Sequence, residues 1–193
     1  MSNSKKLVMD TLEMCSHSRA PREMWVLPWA EMHHPEKLAA IRRDFPSDFI
    51  GAPGFLREAD ISRGDMYAPG RSTDAWGCEF VNIGAGAIGE VKNPQIRDDD
   101  WENAENVHIP LEWLSVDVEK VNAFCRENRD KFIFGGCCPR PFEQLQFLRS
   151  TAELYMDLTD PCEGMRRFMG KMHAFYCELM QLWARADVDA LTK

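Results

Sequence analysis

Two adjacent thiols, Cys137 and Cys138 in Gly135-Gly136-Cys137-Cys138-Pro139, are the side chains best suited to nucleophilic or metal chemistry. They follow a short apolar run, and residues at the C-terminal end of a barrel strand face the mouth where barrel enzymes do their chemistry. Adjacent side chains point in different directions, so the pair needs further ligands to hold a metal. Small, well-packed hydrophobes are the competing reading. Arg140 and Glu143 come next, suited either to contacting a substrate or to opening a helix. His33-His34 lies between Glu31 and Glu36 but lacks H-E-x-x-H spacing, which favours a surface pair beside Pro35. Gly84-Ala85-Gly86-Ala87-Ile88-Gly89 has the letters of a phosphate loop, but not the strand before it or the helix after it. Trp29 and Trp76 each offer a flat face and an indole donor, matched to an aromatic or tetrapyrrole ligand, or to a core. No serine-histidine-acid motif is present.

The elements that would position these groups alternate between strand-like and helical patterns. Lys5 to Cys15 reads as a helix with Leu7, Val8 and Leu12 on one face. Met24-Trp25-Val26-Leu27-Pro28 is an apolar run that suits a buried strand. Pro35 opens a helix through Arg43, and Asp48 to Ala52 reads as a second strand stopped by Pro53-Gly54. Ala75–Ile83 and Ala87–Val91 flank Gly84-Ala85-Gly86 as a hairpin, with glycines supplying positive φ. Asp98-Asp99-Asp100 is a solvated loop, and a helix spans Asp117 to Glu127. Lys131 to Gly135 is a third strand. Asp160-Pro161-Cys162-Glu163 opens a long helix, with Asp160 and Glu163 placed as a capping box. Its apolar stripe is Met165, Phe168, Met169, Met172, Phe175, Tyr176, Leu179 and Trp183. Val188 to Thr192 begins a fourth strand.

This alternation argues for parallel βαβ units. A (β/α)8 barrel takes about 250 residues, so about four strands plus a hairpin make half of one. We expect an α/β fold: a partial TIM barrel of about the first four βα units, formed as one domain over 1–193, with a hairpin inserted at about 74–94. A small open α/β sheet, complete in itself, is the competing arrangement.

Composition limits the function classes. The net charge of −8 repels phosphate backbones, and the basic residues are scattered, so nucleic acid is not an expected partner. No apolar run approaches the roughly 18 residues that span a bilayer, so no membrane partner is expected. The start, Met1-Ser2-Asn3-Ser4-Lys5-Lys6, lacks a signal peptide's apolar stretch. Seven cysteines, an odd count without regular spacing, do not make a disulfide framework. A cytoplasmic protein with reduced thiols is expected.

Trp25 to Glu36 reads W-V-L-P-W-A-E-M-H-H-P-E and resembles, without a gap, the uroporphyrinogen decarboxylase signature W-x-M-R-Q-A-G-R-x-x-P-E at Trp25, Ala30, Pro35 and Glu36. Asp74-Ala75-Trp76-Gly77, followed by Gly89-Glu90-Val91-Lys92-Asn93-Pro94, is similar to the D-x-W-G…G-E-V-x-x-P pattern of the methyltransferase branch of that superfamily. Gly135 to Pro139 sits where the family has a small-residue strand end, and Val188 to Leu191 is similar to its G-V-D-x-I strand. The resemblance covers nearly the whole chain and implies the N-terminal half of a uroporphyrinogen decarboxylase-like barrel.

The departures carry more information. In the decarboxylases the signature's two arginines hold the acidic side chains of the tetrapyrrole; here those positions are Pro28 and Met32, neither of which can pair with a carboxylate. Only Asp48 matches, loosely, the family's pyrrole-binding aspartate, and a turn or capping role is its equal rival. The resemblance therefore favours the corrinoid-linked methyltransferases. It implies methyl transfer between a small one-carbon or methoxylated substrate and a corrinoid carrier, with a corrinoid protein as partner. In that branch zinc is bound by one histidine and two cysteines of the C-terminal half, so this half is expected to bind no metal itself and to be inactive alone. Trp25, Trp29, Asp48, Trp76, Cys137 and Arg140 are the expected substrate-binding residues. A decarboxylase of a tetrapyrrole or another acid is one alternative. A non-catalytic half-barrel that pairs with itself or with a complementary chain is the other.

Overall fold

The computed structural model describes residues 3–191. Met1, Ser2, Thr192 and Lys193 lie outside the described residues, and with them the first two residues of the N-terminal stretch and the end of the expected fourth strand. In chain order the helices are α1 (Ser4–Leu12), α2 (Pro28–His33), α3 (Pro35–Asp44), α4 (Val118–Glu127), α5 (Pro141–Arg149), α6 (Thr151–Asp157) and α7 (Glu163–Trp183). The strands are β1 (Phe49–Ala52), β2 (Gly70–Thr73), β3 (Glu79–Asn82), β4 (Glu90–Val91), β5 (Phe132–Gly135) and β6 (Ala190–Leu191). Two compact units form: Met1–Phe55 with Val116–Cys138 and Met180–Lys193, and Leu56–Ser115 with Pro139–Leu179.

The first unit is built on a parallel sheet in the order β1-β5-β6. Phe49 pairs with Phe132 and Gly51 with Phe134, and Phe134 pairs in turn with Ala190. In β5, Phe132, Ile133 and Gly135 are buried, the near-continuous burial expected of a parallel strand covered on both faces. Phe49, Phe132 and Phe134 cluster, with Phe49 stacked on Phe134 at 5.3 Å. α1 packs against β5, and α4 packs against β1 through a face that buries Val121 and Cys125. Asp117 starts α4 by accepting from the Lys120 N–H at 3.1 Å, as a cap should. Lys5 pairs with Asp189 at 2.5 Å, and Asp189 also accepts from the Ile133 N–H, fixing the approach to β6.

The second unit holds an antiparallel sheet, β2-β3-β4. The hairpin between β3 and β4 forms where the glycines placed it, Gly86 taking φ +84°. Asn82 secures the turn by donating to the Met66 and Ala87 carbonyls. α7 supplies the core stripe: Met165, Phe168, Met172, Phe175, Tyr176 and Leu179 are all buried. Trp101 lies 6.1 Å from Phe168, and Trp76 meets Phe175 edge-on at 5.7 Å.

Several expectations need correction. Met24–Pro28 is not a strand: Pro28 opens α2, and Trp25 is 87% exposed. The run has the composition of a buried strand but pairs with no strand among the described residues. Met169 is exposed, and so falls outside the stripe of α7. Asp160 does not cap that helix; it begins at Glu163, and the sulfur of Cys162 accepts from the Met165 N–H at 3.4 Å. β2 was not anticipated, because Gly70-Arg71-Ser72-Thr73 has no apolar alternation to announce it.

Candidate functional site

The C-terminal ends of the parallel strands in the first unit are closely packed. A Cβ on Gly135 would lie 2.7 Å from the Leu191 side chain and 2.9 Å from Trp183; one on Gly136 would lie 2.9 Å from the Ala52 carbonyl. Glycine is needed here for close approach of strand to strand and of strand to the Trp183 ring. Cys137 follows, buried, and burial pushes its thiol up to about 11, with Cys138 adding to the shift. A thiol held neutral in this way is a poor nucleophile at neutral pH. Cys138 is exposed. The two sulfurs therefore sit in opposite environments, as side-chain alternation dictates.

Trp25 and Trp29 lie on the other candidate surface of this unit. Trp25 stands free in solvent, and Trp29, on α2, is 46% exposed. His33 stacks on Trp29 at 4.5 Å and His34 meets it edge-on at 5.5 Å. Leu27 and Met32 are also exposed. Arg42 is paired with Glu31, so that cation is already neutralised within the chain.

Asp48 sits at the opposite, N-terminal end of β1 and is almost wholly buried. Arg19 grips both its oxygens, at 2.6 and 2.8 Å, Ser4 donates at 2.7 Å and the Arg22 N–H at 2.8 Å. The Arg19 hydrogen bonds hold the carboxyl far below the usual range against the opposing effect of burial, with Ser4 and Arg22 assisting. Beside it opens a cleft of about 630 Å³ walled by Met24, Ile41, Phe45 and Phe49, with Arg22 and Lys131 at its margin.

In the second unit the D-x-W-G segment folds into a tight turn. One Asp74 oxygen accepts from the Trp76 and Cys78 N–H groups at 2.9 and 2.7 Å, while Gly77 takes φ +82°. Gln144 donates to the other oxygen at 3.3 Å and lies 3.5 Å from the Cys78 sulfur. Gln95 donates to the Trp76 carbonyl at 2.9 Å. Burial raises the Asp74 carboxyl above its ordinary value, and burial followed by the Asp74 charge pushes the Cys78 thiol well up. Trp76 is buried, and its indole N–H has no hydrogen-bond partner among the described residues, an unusual cost for a donor in a core. Arg140 is exposed and paired with Glu143 at 2.8 Å, at the opening turn of α5.

Sequence reasoning missed the best-connected cation of this unit. Arg149 is buried and holds Asp157 at 2.7 and 3.3 Å, and Trp101 donates its indole N–H to the same carboxylate at 2.9 Å. Arg149 also reaches the Asp98 carbonyl at 3.2 Å. The Arg149–Asp157 spacing of eight residues falls across the break between α5 and α6, where helical periodicity gives no signal.

Among the described residues, no group of three or more His, Cys, Asp or Glu side chains could hold a metal. No described helix is long and apolar enough to cross a membrane. No protein-family model, curated protein or solved structure matches the chain.

Proposed function

We propose that this chain is the N-terminal half of a uroporphyrinogen decarboxylase-like barrel of the methyltransferase type, serving methyl transfer between a small methylated substrate and a corrinoid carrier. The observation that carries the reading is the order of the parallel sheet. β1, β5 and β6 are neighbours in the sequence in which the chain makes them, which is how a barrel is wound. The motifs that resemble the family follow one another along the chain in the family's order. In the chain's path, both segments of the second unit leave after the C-terminal end of a parallel strand, β1 and β5, the position from which barrel enzymes grow their functional loops.

The methyltransferase branch is preferred over tetrapyrrole decarboxylation on charge. A polycarboxylate needs guanidinium partners. The exposed Trp25, Leu27, Trp29 and Met32 offer aromatic and apolar surface instead, and Arg42 is spent on Glu31. Such surface suits the largely apolar ring of a corrinoid or an aromatic ether. A bound corrinoid would supply the methyl-carrying centre; the chain's own residues would orient it and exclude water. Zinc belongs to residues beyond this half in the reading, and no step here depends on it.

The test is a tryptophan-fluorescence titration with a methyl-corrinoid and, separately, with uroporphyrinogen. Corrinoid should quench, and Trp25→Ala or Trp29→Ala should each weaken binding by about tenfold, roughly 1.4 kcal/mol. Tight uroporphyrinogen binding without a corrinoid response would overturn the assignment in favour of a decarboxylase.

A further inference from the structure

We propose that the cleft beside the start of β1 binds a small monocarboxylic acid with an aromatic body, its carboxylate held by Arg22 and Lys131. The cleft lies at the N-terminal end of β1, away from the strand ends where barrel chemistry is done. The proposal does not depend on the barrel reading.

At about 630 Å³ the cleft has the size of a small-molecule site. Its walls come from the first unit alone: residues 21–24, the end of α3 and the turn after it, the start of β1, and Lys131 ahead of β5. The 21–24 wall is fastened at Arg22. The Arg22 carbonyl accepts from the Asp48 N–H at 2.8 Å and from the Ser47 hydroxyl at 3.3 Å, and the Arg22 N–H donates to the Asp48 carboxylate at 2.8 Å. These bonds use only the backbone of Arg22. The wall is therefore set before a ligand arrives, which lowers the ordering cost of binding.

Two properties of the lining select the ligand. The first is apolar area left in water. Met24, Ile41 and Phe45 are exposed and Phe49 is half-buried. Covering such area is favourable, and the two phenylalanine rings suit an aromatic body. The second is uncommitted positive charge. Arg42 on the lining is paired with Glu31, and the Asp48 charge next to the cleft is met by Arg19. Arg22 differs: its guanidinium lies over the Phe45 ring at 5.2 Å and makes no ion pair with a described residue. Stacking steadies the planar fork while its N–H donors stay free among the described residues, an arrangement that receives a carboxylate through two parallel bonds. Lys131 commits one N–H to the Ser47 carbonyl and keeps the others. Among the described residues, Glu23 is the one acid on the lining. Arg22 and Lys131 against Glu23 favour one added negative charge and oppose a second.

Isothermal titration calorimetry of the full chain with 3-phenylpropionate, its neutral analogue 3-phenylpropanamide, phenylsuccinate and inorganic phosphate tests the proposal. Saturable binding of 3-phenylpropionate is expected, with the amide weaker by about tenfold. Arg22→Gln should cost the acid about tenfold and leave the amide unchanged, which separates a lost charge from a damaged wall. Phe45→Ala should weaken acid and amide alike. Acid and amide binding equally well would overturn the proposal, as would phosphate or phenylsuccinate binding as tightly as the monoacid. An Arg22→Gln chain that binds 3-phenylpropionate unchanged, or loses acid and amide together, removes the guanidinium as the carboxylate's partner. No saturable response to 3-phenylpropionate up to about 10 mM removes the site.

Discussion

The Arg19–Asp48 contact shows how far a charge can be committed to structure. Asp48 has every strong acceptor site used by Arg19, Ser4 or the Arg22 backbone, which leaves little with which to bind a ligand. Its stabilising effect is tied to ionisation. A carboxyl whose folded value is depressed contributes fully above the unfolded value near 4 and loses that contribution as pH falls through the folded value. Asp48→Asn should cost about 2 kcal/mol at neutral pH. That is less than for a fully enclosed pair, because solvent reaches Arg19. Urea unfolding followed from pH 7 to pH 2 should show a shallower loss of stability in the variant. Equal slopes in the two proteins would remove Asp48 as the source of acid sensitivity. This contact is not legible in the sequence: Arg19 and Asp48 share no periodicity, and only the fold brings them together. Asp74 was legible as a motif, but the roles of Gln95 and Gln144 were not, since a glutamine at that distance in sequence carries no recognisable spacing.

At the scale of elements, the strongest signals were those of local physics. α3, α4 and strands β1 and β5 lie where apolar periodicity, proline and capping residues put them, and α7 lies where its apolar stripe puts it. Periodicity reports a face and not the partner that covers it. This is why Met24–Pro28 reads as a strand although it pairs with no strand among the described residues, and why β2, recruited by pairing with β3, reads as nothing. α7 offers a paired test of local against tertiary demand. Gly170 has open space around a built Cβ, whereas a Cβ on Gly164 would overlap the Asp100 carbonyl. Gly170→Ala should stabilise by about 0.5–1 kcal/mol through helix propensity. Gly164→Ala should destabilise by roughly 2–3 kcal/mol, because backbone must move. Thermal melts of the two variants moving in the same direction would show that the start of α7 does not need its glycine.

For the molecule as a whole, the discontinuity of each unit matters more than its size. The pairing of Phe49 with Phe132, and of Phe134 with Ala190, places the central sheet among non-local contacts, whose loop-closure cost is met before any reward. Stopped-flow refolding should therefore show the aromatic signal of the first unit recovering in milliseconds to seconds, behind a faster helical phase in the far ultraviolet. Recovery of both signals together in microseconds would contradict that order. The expectation of a partial barrel rests on strand–helix alternation, chain length and motif resemblance, since three parallel strands are common to many α/β folds.

The same pairing has a consequence during synthesis. At about 5–20 residues per second, on the order of ten seconds separates the emergence of β1 from that of β5 at the ribosome. Through that interval the nascent β1 has no partner on either side. Its four residues, with glycine third, are too short and too flexible to template stacking with other nascent chains, so the wait is survivable without a chaperone dedicated to it.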